Sequence, residues 1–340
     1  MQPDRATAAP MSAAAPHPIP PEAIDADAMR VVERLAREGF STYLVGGCVR
    51  DLLLGLRPKD FDLATSARPR QVKRLFRNSR IIGRRFRLVH VQFGPRVIEV
   101  ATFRRSPEQG GEDPLIERDN VFGTEVEDAF RRDFTINGLF YDPIARRLAD
   151  HVGGIRDLDA RLVRTIGDAE TRVREDPVRI LRAAKFAGRL AFELAPDLVA
   201  AARAHAGDLQ RSAPPRVLEE LYRLVSGRGG ARAWKLLEEL GALAVIAPEL
   251  VPPPPWFFAA LERLEAITDG SREAAPQALL ASVLLAPAVL PALDARRGGD
   301  PEREAAEAIA EPARRLTVSR RDQAVSGFLL GAQPRFLGSV

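Results

Sequence analysis

The 340-residue sequence predicts an α+β protein: a small mixed α/β domain followed by an all-α remainder. Three observations carry that expectation. Between Thr42 and Phe103, short apolar runs with strand character alternate with stretches at helical spacing. Beyond about Asp168 no strand signal recurs, and Ala-, Leu- and Arg-rich segments of helical pattern run nearly to the end. Pro214-Pro215 and Pro252 to Pro255 then divide the helical part into smaller bundles.

Residues 1–21 are Ala- and Pro-rich without periodicity and read as a flexible leader. From Pro21 to Phe40, Ile24, Met29, Val32 and Leu35 fall at roughly helical spacing, with Gly39 as a stop. Strands are expected at Thr42 to Val45, Phe61 to Ala64, Ile81 and Ile82, Leu88 to Phe93, and Val97 to Phe103. Helices are expected between them at Val49 to Leu54 and Pro69 to Phe76.

Composition narrows the function classes. A hydrophobic content of 46% over this length supplies at least one proper core, which excludes a minimal disulfide-stapled module. The single cysteine, Cys48, can supply neither a disulfide nor a Cys-based zinc site, and a reducing, cytoplasmic setting fits. No apolar run approaches the roughly 18 to 20 residues a membrane span needs, so no membrane partner is expected. The 50 Lys and Arg against 46 Asp and Glu leave a net charge of only +4. Between Ser66 and Arg105, however, twelve Lys and Arg face a single acid, Glu99. That local excess suits a polyanion, either a triphosphate or an RNA backbone.

The first chemical constellation is VGGCVRDLLLGLRPKDFDLAT, Val45 to Thr65. A strand ends at Val45, Gly46 and Gly47 make a turn free of side chains, and a helix begins behind them. Amides at such a helix start approach a phosphate closely, and Arg50 adds a charged donor one turn in. Asp60 and Asp62 alternate on the next expected strand, which puts both carboxylates on one face within reach of the same magnesium ions. Paired carboxylates beside a phosphate cradle suit nucleotidyl transfer.

A third carboxylate is expected nearby, and two residues qualify. Glu99 lies on the strand Val97 to Phe103, and Asp133 lies in RRDFTIN. Thr124 and Glu127 have the spacing of a capping box, expected to start a helix carrying Arg131, Arg132, Asp133 and, one turn on, Asn137. The two arginines are suited to hold a triphosphate.

The third constellation is REDPVRILRAAKFAGRL, Arg174 to Leu190. Asp176 followed by Pro177 reads as an N-cap and first helical position. Arg179, Arg182, Lys185 and Arg189 then recur on one helix face. Asp176 and Arg179 are expected to form a fixed acceptor and donor pair able to read the edge of a base. Trp234 and Trp256 are expected to be helix-core residues rather than base-stacking platforms, and Cys48 a packing residue.

Three segments, LVGGCVRDLLLGLRPKDFDLAT, RRDFTINGLFYDP and EDPVRILRAAKFAGRLAF, occur in the order found in the class II tRNA nucleotidyltransferase and bacterial poly(A) polymerase family, and the sequence resembles that family from about Tyr43 to Leu224. The resemblance implies a nucleotidyltransferase head over residues 22–165, a helical neck over 166–227 and a helical body over 228–340. It implies two magnesium ions at Asp60 and Asp62, with ATP as a substrate. Nucleotide selection without a template then maps onto Asp176 and Arg179, and Arg182 and Asp133 belong to the same matching motifs. The implied partner is an RNA 3′ end. Within the family, RIIGRRFRLVHVQFGPRVIEVATFRR resembles bacterial poly(A) polymerases more than CCA-adding enzymes, which usually carry a His-Gly-Thr stretch where Arg87 to His90 stand here. CCA addition to tRNA is the alternative, and a non-catalytic RNA-binding relative the third reading. Residues 301–340 hold six arginines against five acids, in contrast to the basic tail of many such polymerases.

Overall fold

The protein is described here from a computed structural model, which describes residues 19–83, 87–105, 122–268, 277, 280–286 and 300–337. The expected leader lies almost wholly outside the described residues. Two compact units divide the chain: residues 1–160 with 164–167, and residues 161–163 with 168–340.

The first unit is built on a seven-stranded sheet. Helix α1 (Ala26–Arg37) opens it, capped by the Asp25 carboxylate, which accepts from the amides of Asp27 and Ala28. There follow β1 (Thr42–Val45), α2 (Gly47–Leu53), β2 (Asp62–Thr65), α3 (Pro69–Leu75), β3 (Ser79–Ile82), β4 (Leu88–Phe93) and β5 (Arg96–Thr102). Helix α4 (Glu125–Arg131), β6 (Leu139–Asp142), β7 (Arg147–Asp150) and α5 (Gly154–Asp159) complete it. The strand order is β3-β4-β5-β2-β1-β6-β7. Only β2 and β5 run parallel, and that pairing sets Asp62 directly opposite Glu99. One sheet face buries Leu63, Val89, Val91, Ile98 and Val100. On the other, Val45, Ala64, Phe103 and Phe140 pack with Ala129 of α4.

Several boundaries differ from expectation. Strand β2 begins at Asp62 rather than Phe61, so Asp60 lies in the bend before the strand. The hairpin β6–β7 had no counterpart in the sequence reading, although Asp142-Pro143 after the apolar Leu139 to Tyr141 is a usable turn signal. A two-stranded parallel piece, β8 (Leu162–Val163) with β9 (Glu193–Leu194), places a strand beyond Asp168. Two residues are too few to leave a periodic trace.

The second unit is otherwise helical: α6 (Ala169–Glu175), α7 (Arg179–Leu190), α8 (Pro196–His205), α9 (Pro214–Val225), α10 (Gly230–Glu239), α11 (Ala242–Ile246) and α12 (Pro255–Thr268), with further helices at Pro301–Arg315 and Arg320–Leu337. Helices α7 and α10 cross where both chains carry glycine. A Cβ at Gly229, whose φ is +71°, would stand 2.2 Å from the Gly188 carbonyl oxygen, so no larger residue fits. Trp234 is fully buried with its ring 5.0 Å from that of Phe257, as expected of a core residue, whereas Trp256, expected in the core too, is 37% exposed at the start of α12.

Candidate active site

At the turn into α2, Gly46 has a φ of +72° and a ψ of −130°, a conformation that favours glycine. Its α-carbon faces the Arg132 guanidinium, since a Cβ there would lie 3.0 Å from Arg132 Nη1. Helix α2 starts at Gly47, as its sequence suggests. Cys48 is buried, its thiol donates to the Val45 carbonyl at 3.2 Å, and burial above all pushes its pKa up to about 12. It is a packing residue.

Arg50 is not a solvent-facing donor. Its side chain is buried, donating through Nε and Nη2 to Asp51 at 2.9 and 2.7 Å and through Nη1 to Asn137 Oδ1 at 2.6 Å. Asn137 Nδ2 in turn donates to Asp133 Oδ1 at 3.2 Å, and the same oxygen accepts from the Phe134 amide at 2.8 Å. Asp51, Arg50, Asn137 and Asp133 thus form one chain of hydrogen bonds tying α2 to the segment after α4. A buried guanidinium with paired carboxylate and amide acceptors fixes that segment more rigidly than a phosphate contact would.

The capping box predicted at Thr124 and Glu127 is present: the Glu127 amide donates to Thr124 Oγ1, and the Thr124 amide donates to Glu127 Oε2 at 2.7 Å. The helix is shorter than expected and ends at Arg131. Arg132 is its C-cap, Asp133 follows outside it, and Asn137 closes a separate 3₁₀ turn, Thr135–Asn137. Arg132 donates to Asp128 Oδ2 at 3.1 Å and stacks 5.0 Å from the Phe140 ring centroid, while half-buried Arg131 ends α4.

The carboxylates Asp60, Asp62 and Glu99 come together. Asp62 and Glu99 are directly opposed across β2 and β5, and Asp60 acts on Asp62 from the preceding bend. Asp62 keeps an edge in solvent, but loss of hydration, then repulsion from Glu99 and Asp60, pushes its pKa up to about 6, with Arg132 opposing. Across β4 and β5, His90 Nε2 lies 3.9 Å from Glu99 Oε1. Among the described residues no group of three or more His, Cys, Asp or Glu side chains is placed to hold a metal ion. Magnesium does not require one, since it is usually held by one or two carboxylates plus substrate phosphates and waters. Asp62, repelled by Glu99 and Asp60, is a donor whose charge a divalent cation would relieve, and carboxylate oxygens suit that ion.

In the second unit the expected helix start at Asp176 is displaced. Asp176 instead ends α6, Pro177 and Val178 form a turn, and α7 begins at Arg179. The Asp176 carboxylate is held by Arg216 of α9 at 2.8 Å, so it is not turned back onto α7 amides. Arg179 donates to Glu175 Oε2 at 3.1 Å and to the Arg172 carbonyl. The two residues expected to select the nucleotide therefore each hydrogen-bond another partner rather than one another. Arg182 lies 3.9 Å from the buried Glu220, which also accepts from Lys185 at 2.5 Å and Arg223 at 2.9 Å. Arg216 and Glu220 were invisible in the sequence because they act forty and about thirty-five residues from their partners.

The fold and this cluster define a nucleotidyltransferase head, followed in sequence by a mainly helical unit. Residues 42–164 match the poly A polymerase head domain family, and residues 191–252 match a family described as a probable RNA and SrmB-binding site of polymerase A. The chain is 45% identical over 243 residues to poly(A) polymerase I of Escherichia coli, an alignment covering 69% of this chain and 52% of that one. It is 36% identical over 221 residues to the CCA-adding enzyme of Geobacillus stearothermophilus, covering 65% and 54%. A crystal structure of the Bacillus stearothermophilus CCA-adding enzyme in complex with CTP superposes with a TM-score of 0.60 at 28% identity, covering 92% of this chain and 82% of that one. The chain belongs to the class II tRNA nucleotidyltransferase and poly(A) polymerase family. It spans about half the length of the curated relatives it matches.

Proposed function

We propose that this protein is a template-independent RNA nucleotidyltransferase that adds AMP from ATP to RNA 3′ ends and releases pyrophosphate. The observation that carries the reading is the convergence of Asp60, Asp62 and Glu99 beside the Gly46 turn. Greater identity to poly(A) polymerase I than to the CCA-adding enzyme supports polyadenylation over CCA addition.

In this reading Asp60, Asp62 and Glu99 hold two magnesium ions. Bound there, magnesium would supply the positive charge that activates the RNA 3′-hydroxyl and offsets charge on the departing pyrophosphate. Arg132, next to the Gly46 turn, and Arg131 bind phosphate oxygens, and the Gly46 and Gly47 backbone lets them approach closely. Arg50 and Asn137 act one layer behind, holding Asp133 in place. Asp176 accepts from, and Arg179 donates to, the edge of the incoming base, with Arg182 on the same helix face. Residues 22–165 serve as head, 166–227 as neck and 228–340 as body. No described helix is long and apolar enough to cross a membrane, and the reading places the enzyme in the cytoplasm.

The test is incubation with magnesium and one labelled nucleotide at a time, on a generic RNA and on a tRNA lacking its CCA end. A-only tails on generic RNA are expected. Ordered C, C, A addition confined to tRNA would replace polyadenylation with CCA addition. Absence of incorporation on either RNA would leave a binding protein.

A further inference from the structure

From Ser66 to Gly83 the chain holds six Lys and Arg and no acid, and the structure puts all six at the surface. Pro69 and Val72 are the buried face of α3, so Arg70 and Arg74 point outward with Arg77 just beyond the helix. Arg80 is exposed on β3, the edge strand of the sheet. Among the described residues, Arg70, Arg74, Arg77 and Arg80 make no ion pair. Lys73 differs, since its ammonium donates to the carbonyls of Arg77 and Ser79 and holds the end of α3. Arg96 differs too, because Asp25 and Asp27 neutralise it.

The strand register connects Arg80, at the rim of this patch, to the carboxylates. Arg80 faces His90, His90 faces Glu99, and Glu99 faces Asp62, one row on one face of the sheet. Three strand spacings make that row roughly 14 Å long. Unpaired surface cations without intervening acids repel one another, and a polyanion lying over them relieves that repulsion. We propose that Arg80, Arg77, Arg74 and Arg70 bind the phosphodiester backbone of RNA upstream of the 3′ end that reaches Asp62. This rests on the RNA 3′-end reading above and names where the rest of that RNA runs.

The experiment is fluorescence anisotropy of a 20-nucleotide RNA on the full chain, titrated between 50 and 200 mM salt. The variant R70Q/R74Q/R77Q keeps Lys73 and all proposed catalytic groups. It should bind about tenfold more weakly at 50 mM salt, with the slope of log affinity against log salt reduced by about 2, near 0.7 per lost phosphate contact. R70K/R74K/R77K should bind like the wild type, because backbone recognition needs charge rather than the guanidinium fork. A dinucleotide, whose single internucleotide phosphate cannot reach from Asp62 past Arg80, should bind wild type and variant alike. A glutamine variant that melts like the wild type and keeps its salt slope overturns the proposal. So does a defect seen only in displacement by an acidic polypeptide, which assigns the patch to a protein. Wild type lacking RNA affinity sinks the RNA reading itself, a result distinct from wild-type binding with an unaffected variant.

Discussion

At the start of β2 the Asp62 carboxylate is repelled by Glu99 and Asp60, whereas in the helical unit Asp176 and Arg179 each lie against an opposite charge. The first arrangement is unfavourable without a cation and therefore primed for one. The second is satisfied on its own, with Arg216 and Glu175 holding in place the two groups proposed to read a base. Chemistry and selection are prepared in opposite electrostatic ways, and substitutions should separate them.

The largest effect is expected at the repelling end. Asp62→Ala should lower nucleotide transfer by about three orders of magnitude, the several kcal/mol that metal stabilisation of transferred phosphate supplies. RNA affinity, measured by anisotropy, should stay near wild type. Transfer retained at a tenth of the wild-type rate would remove Asp62 from the metal site. Next is the buried support. Arg50→Ala strands the Asp51 carboxylate in the core and releases Asn137, a break that costs about 3 to 5 kcal/mol. Thermal unfolding should show a large loss of stability, and an unchanged melting temperature would contradict the interlock.

The pH dependence follows from the Asp62 shift. Its folded pKa of about 6 lies above the ordinary carboxylate value, so between these two values the folded state holds more protons than the unfolded chain. Wild-type stability in chelator should therefore fall as pH rises from about 4 through 6. Asp62→Asn should cancel that fall, matching wild type near pH 4 and exceeding it at pH 8. The magnesium concentration for half-maximal transfer should rise as pH drops below about 6, because protons then occupy the carboxylate. Parallel stability curves for wild type and Asp62→Asn across this range would refute the repulsion.

Much of the carboxylate end was legible in the sequence. Asp60, Asp62 and Glu99 were all proposed from strand alternation, and β2, β5 and the capping box at Thr124 formed close to their expected places. What stayed hidden was the role of the long cation. Arg50 looked like a phosphate donor because spacing shows which turn a residue occupies but not whether its guanidinium folds inward, where Asp51 and the Asn137 amide, 87 residues away, accept from it. The start of α7 was misread for a related reason. Asp-Pro is a strong local cap signal, yet Asp176 is drawn off by Arg216, and the helix begins two residues later than expected, at Arg179. Local rules failed where a distant ion pair overrode them.

The smallest effect tests that override. Arg216 is more than half exposed, so its bond to Asp176 contributes at most about 1 kcal/mol, near the upper range of surface pairs. Arg216→Ala should leave stability within error but free the Asp176 carboxylate to rotate. ATP preference over UTP, a nucleotide without an exocyclic amine, should then fall about threefold to fivefold, through KM rather than kcat. Arg216→Lys should restore part of it by returning a charge without the fork geometry. Unchanged ATP preference in Arg216→Ala would mean that Asp176 is oriented by the turn at Pro177 and Val178 alone, making the helical unit as locally determined as the sheet.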